Sequence, residues 1–208
     1  MKQSFRPARL VAAALAGAAL VGGLGACAPL IVGAAAGGAL VATDRRTSGV
    51  VVDDQGFEIK ALPRIREVVG ERGHVNVTSY NRVLLLTGEV PAEADKAAIE
   101  AKLAGMENVK GVLNELVVGP NSTLGDRSND TLITSKVKAS YVDARDLFAN
   151  AFKVVTERGV VYLMGRVTER EATRAVDIAR GVAGVRKVVR AFEVISEEEL
   201  ARTVPAKS

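Results

Sequence analysis

Gly165 stands 77 positions after Gly88, and the residues around these two glycines match in order. Val154, Val160, Leu163 and Val167 sit at that same offset from Val77, Val83, Leu86 and Val90. Further on the offset falls to 76, where Val188 answers Val112 and Val194 answers Val118. A chain that repeats itself in this way is built from two copies of one unit, and each unit is small. At about 70 residues a copy can bury one sheet face under one layer of helices, but alone it would be only marginally stable. Two such copies can lean on each other to cover what remains exposed.

Hydrophobic spacing gives the elements of each copy. Residues 50–52 read as extended, and Asp53 or Asp54 then caps a helix on which Phe57, Ala61 and Ile65 recur at i, i+4 and i+8, with Pro63 as a break or kink. Residues 75–77 and 83–87 read as strands joined by a turn at Tyr80-Asn81-Arg82. An Ala-rich helix follows over residues 92–103, with Ala94, Ala98, Ala101 and Leu103 near one face, and residues 109–118 read as a third strand. The expected class is α+β: two tandem modules, each α-β-β-α-β, with two helices on a three-stranded mixed sheet. Residues 49–118 form the first module and 130–196 the second. Residues 119–129, rich in Gly, Pro, Asn and Ser, link them, and 197–208 is an acidic, then polar tail. Aromatic residues are only 4% of the chain and Trp is absent, so the cores must come from Val, Leu, Ile and Ala.

The first 26 residues belong to neither copy. Lys2, Arg6 and Arg9 precede an apolar run over residues 10–23, the layout of a secretory leader and too short to span a bilayer comfortably. Leu24-Gly25-Ala26-Cys27 ends it, and Cys27 is the only cysteine, so it has no internal disulfide partner. It is either an incidental thiol or the lipid-bearing residue of the cleavage motif of bacterial lipoproteins, which these four residues resemble. That resemblance implies a mature chain starting at Cys27 with an N-acyl and an S-diacylglycerol group, since several acyl chains anchor stably at ~0.8 kcal/mol per buried CH₂. Ala28 rather than Asp after the cysteine implies, in lipoproteins of Gram-negative type, export to the outer membrane. Residues 27–48 read as a tether. Its stretch 28–42 carries no charge and is short of the ~20 residues of a transmembrane helix; Asp44, Arg45 and Arg46 close it.

The formal charge of +4 includes three cations of the leader, so the mature chain is near +1, too weakly basic to point to nucleic acid. The halves differ in sign: residues 27–125 hold ten basic and twelve acidic groups, residues 126–208 fifteen and twelve. In the second half, Ser128-Asn129-Asp130 reads as the cap of a helix running to residue 143. At ~100° per residue, Ile133, Val137, Ser140 and Tyr141 face the sheet. Leu132, Ser135, Ala139 and Val142 fall on the opposite side, an uncharged strip bordered by Lys136 and Lys138. Such a strip suits a lipid interface, with each lysine near anionic lipid adding about 1 kcal/mol, but it equally suits packing against the first module. No motif of catalysis, phosphate binding or metal ligation is present. His74 reads as a surface or strand-edge histidine without ligand partners. Asp53-Asp54 reads as a cap and 197–199 as a solvated acidic run, while Gly111 and the glycines of 181–184 read as turn residues.

Several stretches carry a family resemblance. Val155, Val161, Leu163, Gly165 and Val167, with Gly184-Val185-Arg186-Lys187-Val188-Val189 after the helix, resemble the BON domain, a small α/β module of bacterial envelope proteins. Thr43-Asp44-Arg45-Arg46-Thr47, Val52-Asp53-Asp54, Leu86-Thr87-Gly88-Glu89-Val90-Pro91, Ser128-Asn129-Asp130-Thr131 and Leu163-Met164-Gly165-Arg166-Val167-Thr168-Glu169-Arg170-Glu171-Ala172 resemble the dual-BON lipoproteins of the outer membrane. The resemblance implies binding of anionic phospholipid such as phosphatidylglycerol, mainly through the first helix of the second module, and a role in outer-membrane integrity; the missing catalytic motifs add the expectation that the chain is not an enzyme. This chain has Leu132 where the resembling lipoprotein carries a Trp. Other roles for such a module are an adaptor contacting envelope assembly or cell-wall proteins, or a chaperone-like stress protein. Replacing Cys27→Ser is expected to leave the chain unprocessed and to release it from the membrane fraction, as read by the mass of the N-terminal fragment and by fractionation.

Overall fold

The first helix, α1 (Ser48–Val69), begins five residues before Asp53, because Thr47 caps it and accepts the Val50 N–H. Residues 50–52, expected to be extended, lie inside it, and the helix runs through Pro63 without ending. Phe57, Ala61 and Ile65 are buried together with Val69, as their spacing requires. This is a computed structural model, and it describes residues 44–203. The leader, Cys27, nearly all of the tether and the end of the tail lie outside the described residues.

The first module continues with β1 (His74–Tyr80), β2 (Val83–Val90), α2 (Glu93–Ala104), β3 (Gly111–Asn114) and β4 (Val117–Val118). The second has α3 (Leu124–Asp143), a short 3₁₀ turn (Ala149–Ala151), β5 (Lys153–Glu157), β6 (Val160–Val167), α4 (Glu169–Arg180), β7 (Lys187–Val194) and the tail helix α5 (Glu197–Thr203). In each module a hairpin is antiparallel and the last strand joins the hairpin's second strand in parallel. The registers repeat with the sequence: Leu84 faces Val112 and Val161 faces Val188, while Val90 faces Val118 and Val167 faces Val194. The third strand, expected to be continuous over 109–118, is interrupted at Glu115-Leu116, with Leu116 turned into the core. On α2 the alanines are exposed, and Ile99 with Leu103 makes the buried face. The larger side chains bury more apolar area, so they rather than the alanines decide which way the helix turns.

Both repeated glycines have one cause. A Cβ on Gly88 would lie 2.0 Å from the His74 carbonyl oxygen, and one on Gly165 would lie 2.4 Å from that of Ala151. Both hairpins close through two residues at positive φ, Asn81-Arg82 and Arg158-Gly159, the geometry that matches strand twist. A buried carboxylate on the preceding helix holds each turn. Asp54 accepts the N–H groups of Asn81 and Arg82 at 2.8 Å each, and Asp130 accepts those of Arg158 and Gly159 at 2.7 and 2.8 Å. Neither aspartate is a helix cap; each lies inside its helix and ties it to the hairpin.

The helices cover one face of each sheet. Leu84, Leu86 and Val90 pack under α1 and α2, and Val161, Leu163 and Val167 pack under α3 and α4. The alternate side chains Leu85, Tyr162 and Met164 join Tyr80 in a second cluster, where the two sheets meet back to back. Full burial of each such side chain stabilises by about 1.5–3 kcal/mol.

The segment just before α1 closes this assembly and is not a simple tether. Arg45 gives two 2.7 Å hydrogen bonds to Glu171 and one of 2.9 Å to the Arg166 carbonyl, all in the second module. The next residue, Arg46, turns to the first module, bonds Asp44 and Asp54 at 2.7 Å, and lies 4.2 Å from the Tyr80 ring centroid. Burial would raise the Glu171 carboxyl, but the Arg45 bonds and the Thr168 N–H outweigh it and hold it below the ordinary value of 4.5. A depressed folded value means that the pair stabilises fully above about pH 4.5 and loses its contribution as pH falls through the folded value. Glu171→Gln is expected to cost about 3 kcal/mol at neutral pH, because it leaves the Arg45 charge buried and unpaired. It should also flatten the decline in stability below pH 4.5, as measured by denaturant unfolding across pH.

Candidate interfacial face on the second module

Helix α3 begins earlier than its sequence suggests. Thr123 caps it in a capping box: its hydroxyl accepts the Asp126 N–H, and the Asp126 carboxylate accepts the Thr123 N–H. The Thr-x-x-Asp spacing at 123–126 was the available signal. It was masked by Ser128-Asn129-Asp130, three residues that also favour helix starts. Residues 124–129, expected in the linker, are therefore helical.

One face of α3 carries Ile133, Val137 and Tyr141, all buried against the second sheet as expected. The Tyr141 hydroxyl donates to the Ala175 carbonyl at 3.0 Å, which ties α3 to α4. The opposite face is free. Leu132 is 59% exposed and Val142 73%, and Ser135 and Ala139 between them are exposed as well. The structure adds Leu124, 79% exposed, which the later helix start had left out. Leu124 and Val142 are 18 residues apart, five turns, so they lie on one line down the helix. The uncharged strip is thus about 27 Å long at ~1.5 Å per residue. Packing against the first module, which the spacing alone had left open, is not what covers it.

The polar groups within the strip are already satisfied. The Ser135 hydroxyl donates to the Thr131 carbonyl and the Thr131 hydroxyl to the Arg127 carbonyl, at 2.9 Å each. Such bonds back to the helix lower the cost of taking these side chains out of water. Lys136 and Lys138 are exposed on its two borders, and among the described residues neither makes an ion pair. Exposed Asp143 stands at the C-terminal end. Cys27, the other predicted site residue, lies outside the described residues. No helix among the described residues is long and apolar enough to cross a membrane.

His74 does not stand free at a strand edge. Its side chain is 21% exposed and its Nδ1 lies 3.5 Å from Glu89 Oε2. Asp53, read as a cap, pairs with Arg82 at 2.8 Å.

Known proteins resemble this chain along most of its length. A profile of the BON domain matches residues 63–120 and 129–196. The outer membrane lipoprotein DolP of Haemophilus influenzae is 39% identical over 173 residues, covering 81% of this chain and 89% of that protein. A 21 kDa hemolysin of Actinobacillus pleuropneumoniae is 30% identical, covering 73% of this chain and 79% of that protein. The osmotically inducible protein Y of Escherichia coli is 33% identical over 55% of this chain and 58% of its own length.

Proposed function

Because the chain belongs to the BON-domain family, as a dual-BON lipoprotein of the DolP type, we propose that acyl groups on Cys27 hold it in the outer membrane, facing the periplasm, where it binds anionic phospholipid without catalysing a reaction. The observation that carries this is the outer face of α3: a 27 Å uncharged strip, from Leu124 to Val142, bordered by unpaired lysines (about 1.5 Å of rise per residue). Leu124, Leu132 and Val142 can enter the headgroup–acyl boundary, while Ser135 and Ala139 let the helix backbone approach closely. Lys136 and Lys138 meet the phosphates, each adding about 1 kcal/mol near an anionic surface. Leu132 lacks the amphipathic ring that Trp would place at the interface, so attachment leans on the lysines and on the length of the strip. Bound in this way, the protein supports the integrity of the membrane that carries it.

The test uses the compact unit Thr43–Ser208 without its acyl groups, co-sedimented with vesicles of phosphatidylglycerol and phosphatidylcholine. Binding should require phosphatidylglycerol and weaken as salt rises, since the attraction between exposed charges is screened. Leu132→Glu should abolish binding with the fold unchanged, and Lys136→Ala or Lys138→Ala should each weaken it roughly fivefold. Equal sedimentation of the Leu132→Glu chain would overturn the assignment. Absent vesicle binding, together with a crosslinked envelope protein at Leu132, would transfer the strip to an adaptor role.

A further inference from the structure

On the seam between the modules, at a groove that Thr131, Ser135 and Lys138 of α3 also border, three strands bring together side chains that suit a cation. His74 opens β1, and Glu89 near the end of β2 stands directly opposite it in the hairpin register. Glu157 closes β5 of the other module. One ligand atom from each lies within 4.8 Å of the other two. Glu89 and Glu157 are both buried, and His74 Nδ1 is buried without a hydrogen-bond partner although it faces Glu89 at 3.5 Å.

The negative charge here is only partly compensated. The Ser122 N–H donates to Glu89 Oε2 and the Asn76 amide to Glu157 Oε2, at 3.0 Å each, and both donors are neutral. Arg158 reaches Glu89 alone, at 3.4 Å, from a half-exposed position. Burial, with the Glu89 charge adding to it, holds the Glu157 carboxyl above the usual glutamate range. Carboxylate oxygens accept more than one partner, so both glutamates keep capacity for a further ligand.

We propose that His74, Glu89 and Glu157 bind a divalent transition metal, with Zn²⁺ the best match, and that this metal ties the first hairpin to the second module. An imidazole beside two carboxylates favours zinc-like ions over magnesium or calcium, which prefer oxygen alone. With metal–ligand bonds of about 2.0–2.2 Å, tetrahedral ligand atoms lie about 3.4 Å apart, close to the His74–Glu89 separation. Three protein ligands leave a fourth position for water. The groove lined by His74, Asn76, Arg127, Asp130, Thr134 and Glu157 provides the path of entry. Asn76 fixes the Glu157 carboxylate from behind, as the outer partners of metal ligands do.

His74 is the only histidine of the chain, so its imidazole resonances report on this site alone. The full chain carrying Cys27→Ser, free of any affinity tag and held in detergent, is titrated with Zn²⁺ and followed by calorimetry, thermal unfolding and proton NMR. One equivalent should bind, shift the imidazole signals and raise the unfolding midpoint, whereas Mg²⁺ and Ca²⁺ should leave the signals in place. His74→Gln and Glu157→Gln should each weaken binding roughly tenfold or more while keeping the circular dichroism spectrum. Imidazole signals unmoved by several equivalents of Zn²⁺ would overturn the proposal, a result that does not depend on how the variants fold. Signals that respond to pH but not to metal would mark a simple His74–Glu89 ion pair and overturn it equally.

Discussion

Each sheet in this molecule has helices on one face only, so its other face must be taken from water by something else. The two modules do this for each other through Tyr80, Leu85, Tyr162 and Met164, with Val155, Val189 and Ala191 packed around them. Because β2 and β6 are thereby buried on both sides, their first halves, residues 83–86 and 160–164, read as continuous apolar runs and not as alternating strands. The same contact decides what stays outside. A helix on the far face of the second sheet keeps an outer surface that the first module does not cover, and that is where the uncharged strip of α3 lies, with Ser135 and Lys138 at the rim of a groove shared with His74 and Asn76.

Polar interactions then fix how the apolar faces meet. Arg45 and Arg46 are neighbours in the chain but reach into different modules, so the segment ahead of α1 acts as a clasp. A bidentate arginine–carboxylate pair in a buried setting gives directional definition more than net stability, since desolvation offsets much of its attraction. Asp44, Arg45 and Arg46, at the start of the described residues, thus supply charges that lock the two modules.

Much of this was legible in the residues. The duplication predicted two copies with the same order of elements, and the observed registers repeat with it, because strands paired with the same partners repeat the same spacing of Val and Leu. Ile133, Val137 and Tyr141 against Leu132, Ser135 and Val142 were separated correctly by helical periodicity, which depends only on neighbours along the chain. Boundaries were less legible. Asp54 and Asp130 carry the residue type of a cap but sit one turn or more inside their helices, holding hairpin turns far along the sequence. Alanine misled on α2, since its strong helix propensity says nothing about which side is buried.

By itself the sequence determined the local and repeating features: two α-β-β-α-β units of mixed sheet, the amphipathic division of α3, and a lipoprotein-like cysteine ahead of a charge-free stretch. All of these follow from spacing along the chain, which short-range geometry reads directly. Only the tertiary structure decided that Arg45 meets Glu171, that His74 meets Glu89 and Glu157, and that the α3 strip is left uncovered. The first pairing joins residues 126 positions apart, and nothing in local periodicity encodes it. Contacts of that kind arise when two faces come together to exclude water, and which polar groups then lie side by side is set by the packing of the modules.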